Sequence, residues 1–423
     1  MTRPHDGLPP GADAHVLIAG GGPAGSTAAG LIARRGWRVL VLDRARFPRP
    51  KPCGECINPG GVALLGRLGL LDRVRSLDPA PIRGWRVRTP TSATATATFG
   101  EECPTGLAVS RERLDHALLR SAGSLGARIL EGRKVEELRL PGRDGGFPTL
   151  RVREPDESTR LYRAPVVVGA DGLRSVTARS LEAYRRRPRL RKLSLTARAR
   201  GVGPRRDRGL LVLGRRRMLG LAPVHARRDL WNATVVVDAD THGNAVAEDP
   251  AGFLEAAVTT SVPSWMEPPE LLEGPWASGP FDWPTKRVSA RGALLVGDAS
   301  GYYDPLTGQG IYRALRSAEL ATRAVDRGLR RADGGMSTGT GIPGFHGYEK
   351  ELRREFRSER WIQQLVEFVV SRDALREAAL DRLARAPGAM RALIRVTGNR
   401  SRPHTLLRPS AWIRSFELTE EMP

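Results

Sequence analysis

A short apolar run, His15-Val16-Leu17-Ile18-Ala19, feeds directly into the string GGGPAGSTAAGLIARRG. A second run, Val39-Leu40-Val41-Leu42, then ends on Asp43. An apolar run, a glycine-dense turn, a stretch of helical periodicity through Leu31 and Ile32 and another apolar run describe strand, turn, helix and strand within about thirty residues. Gly20, Gly22 and Gly25 stand at G-x-G-x-x-G spacing. Gly20 makes the tight turn, Gly22 lets a pyrophosphate approach the backbone, and Gly25 lets the helix pack on the strand. The helix N-terminus offers unpaired N–H groups and the positive end of its dipole to phosphates. Asp43, at the end of the second strand, is placed to accept hydrogen bonds from an adenosine ribose.

Two later stretches repeat the strand-to-turn device. Pro165-Val166-Val167-Val168-Gly169-Ala170-Asp171-Gly172 runs into Leu173-Arg174-Ser175, and Ala293-Leu294-Leu295-Val296-Gly297-Asp298-Ala299 runs into SGYYDPLTGQG. Each ends in an aspartate beside a glycine, a group able to hold a polyol by charge-assisted hydrogen bonds. The turn from Pro305 opens a helix at Gly308-Gln309-Gly310, whose N–H groups can stabilise negative charge.

These three motifs, in this order, resemble the FAD-dependent oxidoreductases of the geranylgeranyl reductase and aromatic-hydroxylase (p-hydroxybenzoate hydroxylase-like) group, over most of residues 15 to 330. The resemblance implies an α/β fold with a discontinuous Rossmann-type FAD-binding domain. Gly20, Gly22 and Gly25 would bind the pyrophosphate and Asp43 the adenosine ribose. Asp171 and Gly172 would lie near the pyrophosphate, and Gly297 and Asp298 by the ribityl chain. The turn from Pro305 through Gly308 to Gly310 would meet the pyrimidine end of the flavin. Arg111 would face FAD from a helix start. Arg113 is as readily part of an ordinary capped helix with an exposed i,i+4 pair.

The string Lys51-Pro52-Cys53-Gly54-Glu55-Cys56 follows the second strand and is similar to K-x-C-G-E/G strings of the reductase branch. It is expected to line the flavin and substrate cavity. Cys53 has three readings: a cavity-lining residue, a proton donor or tuner of the flavin, or half of a dithiol couple with Cys56. Glu55 is either a general acid or a cap for the helical region at Gly60–Gly66. Three cysteines and seven histidines complete no four-ligand zinc module.

The division expected is an FAD-binding domain over residues 1–80, 103–180 and 285–345, a mixed-sheet substrate domain over 81–102 and 181–284, and C-terminal helices over 346–423. Period-two alternation in Ile82–Arg88 and Ser92–Phe99 and the strand-like strings RGLLVLG, MLGLAPV and LWNATVVVD carry the substrate domain. In the helices, Trp361, Ile362, Leu365, Val366, Phe368 and Val369 form an apolar face. That face serves as a cap on the core, a lid on a lipophilic channel, or a peripheral membrane contact beside Arg353, Arg354, Arg357 and Arg360.

The formal net charge is +22, yet only five of the 68 basic residues are lysine. The arginines are scattered without aromatic interleaving, which argues against nucleic-acid binding and favours an anionic substrate, carrier or headgroup. The N-terminus shows no apolar signal region and no run of eighteen apolar residues occurs, so a cytoplasmic protein without a transmembrane segment is expected.

Without a second G-x-G-x-x-G, NAD(P)H would visit transiently as reductant. Met218–Val224 departs from the reductase signature and the halogenase W-x-W-x-I-P string is absent. The expected reaction is hydroxylation or double-bond reduction of a small, lipophilic or carrier-bound substrate. Halogenase or oxidase chemistry and a non-catalytic FAD-binding or basic interaction module are the alternatives.

Overall fold

The computed structural model describes residues 7–91, 94–101, 103, 105–142, 145–202, 207–333, 342 and 344–407. The start of the expected 92–99 strand and residues 408–423 of the C-terminal region include positions outside that set.

The apolar runs become the centre of a six-stranded sheet. Its order is Ser289–Ala290, Ala293–Leu295, Val166–Gly169, Val16–Ala19, Val39–Asp43 and Arg128–Glu131. The last five run parallel and Ser289–Ala290 is an antiparallel edge. Every residue of Val16–Ala19 is inaccessible to solvent, which is why these strands read as unbroken apolar runs rather than alternating ones. The helices Pro23–Ala33 and Gly310–Asp333 add Ala28, Ala29, Ile32, Ala318 and Ala321 to this core. An antiparallel sheet of Lys134–Arg139, Thr149–Arg153 and Thr159–Arg163 adds Leu138, Leu150 and Val152. The parallel order with crossover helices places the strand C-termini, and the glycine turns after them, along one edge.

A seven-stranded mixed sheet stands beyond that edge. Its order is Glu270–Ser278, Lys192–Arg200, Trp231–Asp238, Arg217–Pro223, Arg208–Gly214, Gly84–Arg88 and Ala95–Thr98. All its pairings are antiparallel except that of Arg208–Gly214 with Gly84–Arg88. Leu195, Ala197, Ala199, Ala233, Val235 and Val237 bury one face against Leu254, Ala257 and Val258 of the helix Pro250–Ser261. Period two then commits Ser194, Thr196, Arg198, Asn232, Thr234 and Val236 to the opposite face.

A small antiparallel sheet of Cys56–Ile57, Gly106–Ala108 and Ala80–Ile82 lies beside both large sheets. It receives the cysteine string. The expected strand over Ile82–Arg88 is divided between Ala80–Ile82 and Gly84–Arg88, which belong to different sheets. The C-terminal helices Arg357–Val370, Asp373–Arg385 and Pro387–Thr397 close the assembly. Leu380, Met390 and Ile394 pack against Ile82, Val87, Ala95 and Phe99. Among the described residues no helix is long and apolar enough to cross a membrane.

Candidate active site

The glycine turn is built by close approach. Gly20 adopts φ +105°, and a Cβ there would stand 2.5 Å from the Ala170 carbonyl oxygen. A Cβ on Gly25 would stand 1.8 Å from the Gly20 oxygen, so no other residue fits while the helix keeps its contact with the strand. Gly22 differs: the nearest atom to a Cβ there is Arg49 Nη2 at 4.0 Å, and the space in front of the helix N-terminus is open. Asp43 Oδ2 accepts from Gly21 N at 2.6 Å and Oδ1 from Ala45 N at 2.8 Å. The acid therefore braces the turn as well as ending the strand.

A buried cationic cluster faces this turn. Arg111, the first residue of the helix Arg111–Ser124, forms a fork on Asp115 with contacts of 2.7 and 2.8 Å. Arg49 reaches the same carboxylate at 3.3 Å. Its other terminal nitrogen, Nη1, is buried without a hydrogen-bond partner. Lys51 lies where a Cβ on Gly172 would meet its Nζ at 3.4 Å. Burial lowers its pKa, Arg111 adds to that, and Asp298 and Asp115 oppose it.

One cavity of about 660 Å3 joins these parts. At one end its wall holds Gly22, Lys51, Cys53, Arg111 and Gly172. Gly297, Asp298, Tyr302, Pro305, Gly308 and Gly310 complete that end. Gly308 takes φ +65°, and its N–H donates to Pro305 O at 3.1 Å, turning the chain into the helix that begins at Gly310. The other end is apolar, with Trp85, Leu213, Met218 and Val236 from the seven-stranded sheet and Trp361, Leu365, Val369, Leu380 and Ile394 from the C-terminal helices. Burial, with Asp298 and Asp304 nearby, raises Tyr302 well above the ordinary phenol value, so it stands as a neutral hydroxyl.

Of the residues marked from sequence, Gly20 and Gly25 stand behind the glycine turn and Asp43 and Asp171 lie outside the cavity lining. Asp171 is occupied in capping: it accepts from Val176 N, Thr177 N and the Ser175 and Thr177 hydroxyls. Glu55 does not cap the helix Pro59–Leu68; Asn58 does, accepting from Gly61 N at 2.8 Å. The Glu55 side chain turns the other way and accepts from Arg111 N at 2.7 Å and from Arg198 and Asn232. The pair at Arg111 is i,i+4, as an ordinary helix would give, but it is buried rather than exposed.

The thiols are free. Burial pushes the Cys56 thiol far up, so it stays protonated. Cys53 Sγ accepts from Glu55 N at 3.3 Å. Among the described residues no group of three or more His, Cys, Asp or Glu could hold a metal ion.

Sequence reasoning missed Arg49, Arg198, Asn232 and Tyr302 and did not assign Lys51. The cations beside the cysteine string were a usable signal, whereas Arg198 was one arginine among many until strand alternation placed it.

These features fit a dinucleotide: an open glycine turn at a helix N-terminus, an orphaned buried guanidinium nitrogen beside it, and an acid ending the second strand. The family model described as FAD binding domain matches residues 13–324. The chain belongs to that family. It is 41% identical over 127 residues to a menaquinone reductase of Mycobacterium tuberculosis, covering 29% of this chain and 30% of that one. It is 26% identical over 358 residues to a digeranylgeranylglycerophospholipid reductase of Methanothrix thermoacetophila, covering 80% and 82%. With a 6-methylpretetramide 4-monooxygenase of Streptomyces rimosus it shares 27% over 340 residues, covering 77% and 78%. Against the first relatives it matches, the chain spans less than two thirds of their length, 64% in one case and 30% in the menaquinone reductase. The fold is shared with a geranylgeranyl bacteriochlorophyll reductase-like protein of Thermoplasma acidophilum, at TM-score 0.72 and 20% identity over 88% of this chain and 91% of that one.

Proposed function

We propose that the protein is an FAD-dependent oxidoreductase that reduces a carbon–carbon double bond of a lipophilic substrate, with NAD(P)H as transient reductant. The observation that carries this reading is the single cavity running from the glycine turn, past Cys53, to a wall of Leu, Val, Ile and Trp. With FAD at the polar end, the apolar end of this cavity is left to take a lipophilic molecule out of water. Bound FAD would supply two-electron redox chemistry at the polar end.

The chain's own residues divide the work. Gly22, the helix N-terminus behind it, Arg49 and Lys51 would bind phosphate, with Asp43 at the ribose and Asp298 at the ribityl chain. The C-terminal helices exclude water from the apolar end. Saturating a double bond takes an electron pair and two protons: one hydrogen arrives with the pair and the other must come from a donor in the cavity wall. Cys53 is the candidate donor, and Tyr302 is a neutral hydroxyl in the same wall. Glu55 is not, because four donors occupy its two oxygens. These roles go with the division into domains at the boundaries expected from sequence, and with a cytoplasmic enzyme meeting a lipid surface peripherally.

The departure of Met218–Val224 from the reductase signature favours a second reading, monooxygenation of a lipophilic or carrier-bound substrate. The two are separated by their products. The FAD-loaded protein is reduced with NADPH without oxygen and given a polyprenyl acceptor such as a menaquinone. A product two hydrogens heavier supports the reductase. No such product, together with 18O incorporation into a polycyclic aromatic acceptor under 18O2, would establish the oxygenase instead.

A further inference from the structure

The Glu55 carboxylate lies between two parts of the fold that are distant in sequence. Its Oε1 accepts from Arg111 N at 2.7 Å and from Arg198 Nη2 at 2.8 Å. Its Oε2 accepts from Arg198 Nη1 and from Asn232 Nδ2, the latter at 3.2 Å. A carboxylate offers about four acceptor sites, and here all four are taken. Arg111 belongs to the helix beside the glycine turn, whereas Arg198 and Asn232 project from neighbouring strands of the seven-stranded sheet.

The same Asn232 amide also donates to the Cys53 carbonyl at 2.9 Å. Glu55 N donates to the Cys53 sulfur at 3.3 Å, and Glu55 itself holds φ +58°. That conformation is costly for a residue with a Cβ and persists where its surroundings over-determine it. Arg198 and Asn232 are respectively 6% and 1% exposed, so their polar groups have no solvent to turn to if the loop leaves. Thr234 Oγ1 donates to Asn232 Oδ1 at 2.7 Å, which fixes the amide with its nitrogen toward the loop.

We infer that Arg198 and Asn232 are positioning residues: through Glu55 they lock the Cys53 loop to the seven-stranded sheet and hold the thiol in the cavity wall. The inference goes beyond the choice of reaction, since it concerns where the thiol stands. A substrate lying along that sheet and the thiol are thereby kept in one frame.

The test measures alkylation of Cys53 by iodoacetamide in the full-length, FAD-loaded protein, followed by peptide mass spectrometry. Losing buried hydrogen bonds to a charged group shifts a loop-opening equilibrium by about tenfold or more. Arg198→Met is expected to speed Cys53 alkylation by about that factor, and Arg198→Lys to return most of the protection. FAD content should stay at the parent level in both. An Arg198→Met protein that is folded, FAD-loaded and alkylated at the parent rate would overturn the inference, as would failure of the lysine variant to protect. Should Arg198→Met not fold, Asn232→Ala removes the direct bond to the Cys53 carbonyl and is judged by the same rate. Once a substrate is in hand, kcat should fall in these variants with KM little changed. The alkylation result stands even if neither proposed reaction is found.

Discussion

Two residues carry the sharpest expectations. A Cβ on Gly25 would overlap the Gly20 oxygen at 1.8 Å, and neither the Gly20 backbone nor the short Ala170 Cβ at 3.1 Å is flexible enough to give way. Gly25→Ala is therefore expected to destabilise the fold by about 3 kcal/mol, the upper end of overpacking costs, and to lower FAD occupancy. Thermal unfolding and the flavin-to-protein absorbance ratio check it. Cys53 is half-buried, and removing its sulfur loses the contact from Glu55 N while its carbonyl keeps the bond from Asn232. Cys53→Ala should leave FAD binding and its reduction by NADPH intact while turnover falls by about 10²- to 10⁴-fold, the range for loss of a positioned proton donor. Full turnover in that variant would return Cys53 to a lining role.

At the scale of elements, the helix Arg357–Val370 shows how one segment serves two masters. Ile362 and Val366 face the cavity, while Glu359 is buried without a partner for its Oε2. Burial, with a smaller push from Glu355 and an opposing pull from Arg313, lifts the Glu359 carboxyl to about 7. A carboxyl held above its unfolded value binds its proton more tightly in the native state. Its stabilisation is full at low pH and is lost as pH rises from about 4.3 through 7. Glu359→Gln should abolish that dependence, gaining on the parent by about 3 kcal/mol between pH 4 and pH 8 in denaturant titrations. A constant difference across that range would refute the assignment.

The apolar face of this helix was legible from the spacing of Trp361, Leu365 and Phe368, as was the parallel sheet from its unbroken Val, Leu and Ile runs. What period and motif could not deliver was long-range pairing. Arg198 meets Glu55 across 143 residues, and Lys192 bonds Glu367 across 175. Such partners are chosen by tertiary approach, which no local pattern encodes. Asp171 misleads for the opposite reason: its motif marks a real turn, but its carboxylate is consumed by the next helix.

Over the whole molecule the excess of arginine has a direction as well as a size. Around the C-terminal helices three acids point inward, Glu355 bonding Arg316 and Tyr312, Glu359 buried and Glu367 paired with Lys192, whereas Asp373 and Asp381 are exposed. Arg353, Arg354, Arg357, Arg360 and Arg372 are exposed. Among them Trp361 and Phe368 are about half exposed, and Leu365 and Leu375 more than a third. Trp361 and Leu365 also line the cavity, so the apolar stripe is continuous with its wall. A cationic rim around an apolar stripe binds anionic bilayers by headgroup attraction and shallow insertion. The full chain should co-float with phosphatidylglycerol vesicles and much less with phosphatidylcholine vesicles, and binding should weaken as salt is raised. Phe368→Ser and Leu375→Ser lie outside the cavity wall, so together they should weaken vesicle binding while FAD content and reduction by NADPH stay unchanged. Equal recovery with both vesicle types, or undiminished binding by the double variant, would place the contact elsewhere and leave the stripe to pack against a protein.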